Sequence, residues 1–473
     1  MKNKWSVLGG GIFFLINVCL SIPVFAQVQE SELNKIDALE QKTELLQNAV
    51  SALQKFRVSG YIQTQYQYGE AAADGVNFRF RRANSYEGDA YYPGTDDYKG
   101  LDGFSRFGIR RGRFRLAYEE GIVSGVVQID VTERGINNTS IPGRNVVMFR
   151  DFFLNISDPW FGTSAFRAGL FPRPFGHEVS FSSARRESPE RSRIIQSIFP
   201  DERDLGAMLV LQAAGSSNWN FLRLEGGLFA GNGIRPQISS RMDFIGRLSA
   251  TRSFGHNTSL SGGLSLYWGG VLQTDSSRYI MENNQFVLEG GERSRKYIGS
   301  YAKRQYVGVD FQYSQRTSAG LTQLRAEYIF GEHPGDALSA YNFILNDITS
   351  GPVYMRKIEG GYVVFVQDLG QKIPLSAIAK YDWYNPNIDV SGNEIAAVNS
   401  GTGVNDIAIS TVGFGLLWRI NPALNLTAYY DIVSNETTVN LPDTRDLNNN
   451  IIAYGYEKNR PDNVFTLRLQ YRF

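Results

Sequence analysis

The chain has 473 residues, and its 48 lysine and arginine side chains almost balance its 47 aspartates and glutamates. A formal charge of +1 gives no overall bias towards nucleic acid, so no nucleic-acid partner is expected. Tyr (25), Phe (30) and Gly (48) are abundant while only 16 residues are Pro, a mix that suits many strands joined by turns. No run of 18 apolar residues follows the N-terminal region, so no transmembrane helix is expected after it.

The N-terminus has the pattern of a secretory signal peptide. Two lysines precede an apolar run from Trp5 to about Leu20, and Ala26 ends a small-residue cleavage site. The alternative is an uncleaved anchor helix. The single cysteine, Cys19, lies inside the apolar run, so cleavage would leave no thiol or disulfide chemistry. We therefore predict a signal peptide over residues 1–26.

Residues 27–55 have the periodicity of a helix. Apolar side chains at a and d heptad positions are flanked mostly by Glu, Lys and Gln, and they are Ile36, Leu39, Leu46, Val50 and Leu53. This pattern predicts a short periplasmic coiled coil. Three heptads are too few to be stable alone, which implies attachment to an oligomeric body. The alternative is a lone amphipathic helix packed on the mouth of the domain that follows.

From Phe56 onward the period changes to two. Val58, Gly60, Ile62, Thr64, Tyr66 and Tyr68 alternate with a polar set, and the segment 464–473 repeats the pattern. Alternation over about ten residues is typical of transmembrane barrel strands, although a soluble β-sandwich would show it too.

The connections favour the barrel. Links after even-numbered predicted strands are short, whereas most links after odd-numbered strands are long and polar, as expected when one rim faces the periplasm and the other faces outside. We predict for residues 56–473 an all-β, sixteen-stranded antiparallel transmembrane barrel in the outer membrane of a Gram-negative bacterium, with both termini periplasmic. The terminal Phe473 after an aromatic strand looks like the signal that barrel-assembly machinery recognises. The predicted strands lie near 56–68, 104–119, 122–132, 146–157, 164–173, 205–213, 219–230, 241–254, 258–270, 300–314, 319–331, 353–367, 374–384, 406–419, 424–434 and 461–473.

Several segments, in order along residues 56–473, resemble the phosphate-selective porin O/P family. The resemblance implies a sixteen-stranded barrel, commonly trimeric, with a third loop that constricts the pore, and it implies passage of anions. The segments include Gly60-Tyr61-Ile62-Gln63, Arg110-Arg111-Gly112-Arg113-Phe114-Arg115, Arg150-Asp151-Phe152-Phe153, Arg167-Ala168-Gly169-Leu170-Phe171-Pro172-Arg173-Pro174-Phe175-Gly176 and Lys380-Tyr381-Asp382-Trp383-Tyr384-Asn385-Pro386.

An arginine stripe on the second predicted strand is the sharpest candidate for the anion path. Arg111, Arg113 and Arg115 share one face, and an inward orientation avoids the cost of arginine on the lipid side, about 2–4 kcal/mol at the midplane. Arg110 shares the opposite parity, so we expect it near a rim. Inward guanidiniums would attract an anion and pass it on by successive hydrogen bonds. The alternative is that they only balance neighbouring carboxylates.

Further candidates lie in the long third loop and on other strands. The loop carries Arg185, Arg186, Arg191 and Arg193, among nearly as many carboxylates, and is either a constriction or a solvated surface loop. Inward basic residues on later strands include Arg247, Arg325 and Lys380, again among carboxylates, so selectivity should be modest.

These observations predict a passive diffusion porin for small anionic or hydrophilic solutes, embedded in outer-membrane lipid and homotrimeric. The alternative is a barrel that presents extracellular loops for binding or adhesion, and an outer-membrane hydrolase is a third reading. We expect no enzyme, cofactor or metal, because the three histidines (His177, His256 and His333) are predicted in two loops and a turn on the opposite rim.

Overall fold

The computed structural model of the protein describes residues 39, 41–47, 50–51, 53–70, 103–131, 147–160, 163–200, 202–235, 237, 239–336, 351–370 and 373–473. The chain divides into two units at Arg57, and each is described by itself. The predicted signal peptide, residues 1–26, lies outside the described residues, as does most of the predicted coiled coil.

The described residues between Leu39 and Gln54 are helical. Four of the predicted heptad residues, Leu39, Leu46, Val50 and Leu53, are at least half exposed. An isolated short helix with an uncovered apolar stripe is marginal in water, so this stripe fits the expected coiled coil, which stays a prediction.

No helix among the described residues is long and apolar enough to cross a bilayer.

The second unit is a closed barrel of sixteen antiparallel strands. Strand β1 pairs with the last strand, from Tyr61 opposite Arg472 to Gly69 opposite Val464, and this pairing closes the barrel. The predicted strand number is confirmed, and each predicted strand end lies within four residues of the observed one. The barrel strands are β1 (Phe56–Gly69), β2 (Phe104–Glu120), β3 (Val123–Val131), β4 (Val147–Ser157), β5 (Ala165–Pro172), β6 (Arg203–Gln212), β7 (Leu222–Phe229), β8 (Asp243–Phe254), β9 (Thr258–Leu272), β12 (Tyr301–Thr317), β13 (Gly320–Gly335), β14 (Val353–Asp368), β15 (Leu375–Asn385), β16 (Ile409–Arg419), β17 (Leu424–Asn435) and β20 (Val464–Arg472).

Short and long connections alternate around the barrel. Short turns join strands at the rim that holds both barrel termini, for example 255–257 between β8 and β9 and 318–319 between β12 and β13. All the long links leave the other rim, including 173–202 and 436–463. Two of them contain hairpins of their own, β10 (Arg278–Glu282) with β11 (Gln285–Leu288), and β18 (Thr444–Arg445) with β19 (Ile451–Ala453).

The outer face of the barrel is apolar and the inner face is polar. On β20, Thr466, Arg468 and Gln470 are at most 4% exposed, whereas Leu469 and Tyr471 are about half exposed. Exposed aromatic residues cluster at the short-turn rim, as in the interfacial girdles of membrane barrels: Trp160, Trp219, Phe254, Trp418, Tyr471 and Phe473. An apolar exterior around a polar lumen suits a bilayer, and it places the protein in the outer membrane of a Gram-negative bacterium.

Candidate functional site: the third loop inside the barrel

The loop between β5 and β6, residues 173–202, packs against the inner wall of the barrel. Its residues Phe175, Ile194, Ile195 and Phe199 are at most 1% exposed. Fully burying one such side chain contributes about 1.5–3 kcal/mol, so these contacts anchor the loop firmly. The wall side of the cluster extends from β5 to β15 and includes Phe171, Phe229, Ile245, Tyr267, Tyr306, Ile329, Ile358 and Tyr384.

Glu327 on β13 fixes the first turn of this loop. Its carboxylate accepts hydrogen bonds from the backbone N–H groups of His177 (3.1 Å) and Glu178 (3.0 Å) and from the hydroxyl of Tyr362 (3.1 Å). Gly176 has a φ of +58°, and a Cβ added there would lie 1.7 Å from Oε1 of Glu327. Only glycine therefore allows the backbone to approach this carboxylate so closely.

The same loop also contacts the opposite wall, where β1 and β20 meet. Arg468 donates from Nη2 to the carbonyls of Arg186 (3.0 Å) and Glu187 (3.2 Å). Its Nη1 donates to the carbonyls of Ser188 (3.3 Å) and Pro189 (3.2 Å). Gln63 and Gln470 continue this contact to the carbonyls of Ser183 and Ala184. The loop therefore crosses the lumen and is held by apolar packing on one side and by hydrogen bonds on the other.

Glu190 links the loop to β2. Its carboxylate pairs with Arg110 (2.6 Å) and with Arg111 (3.2 Å). Burial opposes ionisation of Glu190, but the two guanidiniums outweigh it and hold the pKa of the carboxyl well below its ordinary value. The expectation that Arg110 lies near a rim on the lipid side is wrong, because this ion pair turns it inward together with Arg111.

Two further titratable groups of the loop are perturbed. Burial opposes ionisation of Glu202, but Arg191 (2.6 Å), Arg150 and Arg203 hold its pKa well below the ordinary value. Burial, reinforced by nearby positive charge, lowers the pKa of His177 to about 4. The imidazole is therefore neutral at pH 7, which removes it as a positive charge facing a solute.

The predicted arginine stripe is brought together on β2, but its members differ. Arg111 and Arg113 are buried, and Arg113 pairs with Asp130 at 3.1 Å. Arg115 is only partly buried, and no ion pair with a described residue is seen for it. Two stripe residues thus have the carboxylate partners that the alternative interpretation requires, whereas a role of Arg115 in the anion path stays a prediction.

The other predicted residues are also mostly paired. Arg247 contacts Asp310 (2.7 Å), Lys380 contacts Asp382 (3.0 Å), and Arg325 forms an ion pair with Glu187 of the loop. Arg193 is buried in the loop helix Arg193–Ile198, and its backbone N–H donates to Asp382. Arg186 lies 4.0 Å from Glu190 and bonds backbone carbonyls, whereas Arg185 is exposed.

Two spaces remain between the loop and the wall of β15, β16, β17 and β20. Near the short-turn rim is a cavity of about 220 Å³, which the loop faces with residues 184–187. Further into the barrel, beside Lys380 and Tyr429, the free space is about 10 Å³, roughly one water. At this level the loop therefore packs closely against the wall of β15, β16 and β17.

Sequence reasoning missed three arginines on the wall of the larger cavity, Arg419, Arg468 and Arg472. Arg468 and Arg472 have the same strand parity as the inward-facing Gln470, so alternation on β20 was a signal that could have found these two. The histidine prediction was wrong for His333, which lies buried within β13 and bonds the hydroxyl of Tyr306 at 2.7 Å.

No protein-family model and no curated relative matches the chain. Among solved structures, OprB of Pseudomonas putida has a TM-score of 0.51 at 10% identity, covering 92% of this chain and 97% of its own. The outer membrane channel DcaP of Acinetobacter baumannii has a TM-score of 0.48 at 11% identity, covering 88% and 97%. In-vitro folded OmpT of Vibrio cholerae, in its trimer form, has 0.46 at 10%, covering 88% and 99%. These identities show a shared fold alone. The chain has the porin fold, and membership of the phosphate-selective O/P family stays a prediction.

Proposed function

We propose that the protein is a passive diffusion porin for small hydrophilic solutes, with a mild preference for anions such as phosphate. The observation that carries this proposal is the third loop, which crosses the lumen of a sixteen-stranded barrel and leaves polar space beside it. A lumen filled by charged side chains and narrowed by one inserted loop suits size-limited passage of hydrated solutes.

The anion preference rests on local charge. Cations and carboxylates nearly balance among the buried residues described, so the barrel as a whole gives little selectivity. Arg115 and Arg185 make no ion pair with a described residue; Arg115 is partly exposed, and Arg185 is exposed and lines the larger cavity. Arg111 and Arg113 act mainly by holding the loop and the wall through Glu190 and Asp130.

We also propose a homotrimer. The exposed apolar stripe of the N-terminal helix supports an oligomer, because Leu46 and Leu53 are each about two-thirds exposed in the single chain. Deleting residues 27–55 should leave a channel of similar conductance in a less stable oligomer. Loss of conductance with the oligomer intact would contradict this accessory role.

Planar-bilayer recording tests the channel. The purified protein should insert as an open pore, and the reversal potential in a salt gradient should indicate a permeability ratio slightly in favour of anions. A folded barrel without conductance, or one that prefers cations, would contradict the proposal. Orientation is tested by tags, since a tag after Leu447 should be labelled on intact cells and a tag at Asn257 should not.

A second candidate function is an extracellular binding or adhesion scaffold. In the long link beyond β15, Val390, Ile395 and Ile407 are at most 3% exposed, and they pack against Leu441 and Tyr456 of the link beyond β17. An ordered outer surface of this kind suits recognition as well as a pore mouth. Conductance separates the two functions, because a scaffold has no need of an open pore.

A further inference from the structure

The larger cavity beside the third loop has an unusual charge distribution. It lies between loop residues 184–187 and the ends of β16, β17 and β20 near the short-turn rim, where Leu417 pairs with Thr427 and Thr427 with Arg468. Five arginines and one glutamate supply its charged lining: Arg185, Arg186, Arg419, Arg468, Arg472 and Glu187. A bound anion would stabilise such an excess of positive charge; without one, the fold has to tolerate the mutual repulsion of these arginines.

Most of these guanidiniums bind carbonyl groups, which use their donors without cancelling their charge. Arg468 and Arg186 donate to loop carbonyls, and Arg472 donates to the carbonyl of Pro422 at 3.0 Å. Arg419 has a carboxylate partner outside the lining, Asp368, at 3.2 Å, and Arg186 lies 4.0 Å from Glu190, which is paired more closely with Arg110 and Arg111. The single lining carboxylate, Glu187, is already engaged by Arg325.

Two further observations indicate incomplete compensation. The buried Nη1 of Arg186 and Nε of Arg468 have no hydrogen-bond partner among the described residues. Burial, and then the neighbouring Arg191 and Arg111, lowers the pKa of Arg186 well below its ordinary value. Both atoms are buried beneath the lining, so an anion in the cavity would act on them through its charge and not by a direct hydrogen bond.

We propose that this cavity is a binding site for a small multivalent oxyanion on the periplasmic side of the third loop. Guanidinium forks recognise carboxylate and phosphate oxygens alike, so a compact polycarboxylate or a phosphate satisfies the site. A volume of about 220 Å³ has room for such an ion with some of its water. A monovalent anion would leave most of the excess charge uncompensated.

This inference rests on the proposed porin function and deepens it. The cavity lies nearer the short-turn rim than Lys380 and Tyr429, which line the smaller space further into the barrel. An anion that crosses the lumen would be held here and then released to the periplasm, and a tightly held one would obstruct the current. Binding should therefore show as a saturable block of ion flow.

The test is single-channel recording of the full-length protein in about 0.1 M KCl, where the Debye length of about 10 Å leaves the cluster unscreened. Citrate or inorganic phosphate is added to the short-turn side, with acetate as the monovalent comparison. We expect half-block at a concentration at least tenfold lower for citrate or phosphate than for acetate. The relative potency of citrate and phosphate identifies which oxyanion class the site prefers.

The variant Arg185→Gln/Arg419→Gln/Arg472→Gln removes charge while keeping Arg468, which holds the loop. It should raise the half-block concentration at least tenfold. A matched control, Arg252→Gln/Arg316→Gln, removes two exposed arginines near the same rim that do not line the cavity, and it should block like the unmodified protein.

An equal shift in the control and the triple variant would overturn the site, and so would an open channel that citrate and phosphate do not block. If no channel opens, the porin function fails and the site is then judged by calorimetry of citrate binding to the detergent-solubilised protein. Heat that is retained in the triple variant, or absent in the unmodified protein, would reject the site.

Discussion

Replacing Arg468 with methionine tests whether hydrogen bonds from β20 hold the third loop across the lumen. Methionine keeps an unbranched side chain of similar reach but removes the guanidinium fork. Arg468 is 2% exposed and reaches four consecutive loop carbonyls through two nitrogens. Segment 183–190 would then keep the amide contacts of Gln63 and Gln470 and the ion pairs of its own side chains.

The magnitude follows from those contacts. A hydrogen bond from a charged donor contributes about 1.5–3 kcal/mol, and each nitrogen is shared between two carbonyls, so two effective bonds give about 3–6 kcal/mol. Water that enters the lumen would form hydrogen bonds in place of some of those lost, so we take the lower value, about 3 kcal/mol. That value shifts the equilibrium between docked and undocked loop about 100-fold, because 1.4 kcal/mol corresponds to a factor of ten.

Single-channel recording measures the result, after a heat-modifiability gel has shown that the barrel is folded. Arg468→Met should give a larger mean conductance and more open-channel noise. Arg472→Met is the matched control, since Arg472 lies on the same face of β20 but bonds only the turn carbonyl of Pro422. If Arg468→Met and Arg472→Met give the same conductance and noise as the unmodified channel, the loop does not depend on this clamp.

Three further outcomes are expected. Gly176→Ala should lower the free energy of unfolding by at least about 1–3 kcal/mol, because residue 176 has a left-handed backbone conformation and the added Cβ would clash with Glu327. Gly392→Ala, also at positive φ but with open space around the Cβ, should lower it less. Arg115→Gln should lower the anion-to-cation permeability ratio by less than about fivefold, since one charge in water contributes about 1 kcal/mol at 4 Å, and an unchanged ratio would mean that Arg115 does not act on the solute. The pKa of His177 is about 4 in the folded protein against an ordinary 6.5, so the folded state resists protonation and loses stability as the pH falls from 6.5 towards 4. His177→Gln should therefore make the melting temperature depend less on pH between those values. An unaltered slope of melting temperature against pH would contradict this.

The barrel could be predicted from sequence because its signals are local. Strand alternation and the parity of loop lengths depend on residues near each other in the chain, and both specify the sixteen strands. The error at His333 shows where this reasoning ends. β13 continues to Gly335 past Pro334 because the residues pair with β14 and His333 bonds Tyr306, and neither contact leaves a mark in the local pattern.

The charge pairs of the lumen could not be predicted for the same reason. Inward parity correctly placed Arg111 and Arg113 on one face, but it gave no information about Glu190, which lies about 80 residues away in the third loop. For Arg110 strand parity predicted the wrong side of the wall, because its ion pair with Glu190 avoids placing a charge in lipid. Whether an arginine is available to a solute therefore depends on tertiary contacts, which local sequence patterns do not show.

The two ways in which the third loop is held have different physical consequences. Phe175, Ile194 and Phe199 bury apolar surface against β5 to β15, and apolar packing depends little on salt. The opposite contact depends on hydrogen bonds from Arg468 and on the ion pairs of Glu190, and water that enters the lumen can replace the partners in both. The apolar contact therefore stays while the polar one yields first. We therefore expect loosening of the loop to begin on the β20 side, beside the arginine-lined cavity, so that on the proposals above one wall would affect both the free width beside the loop and anion binding.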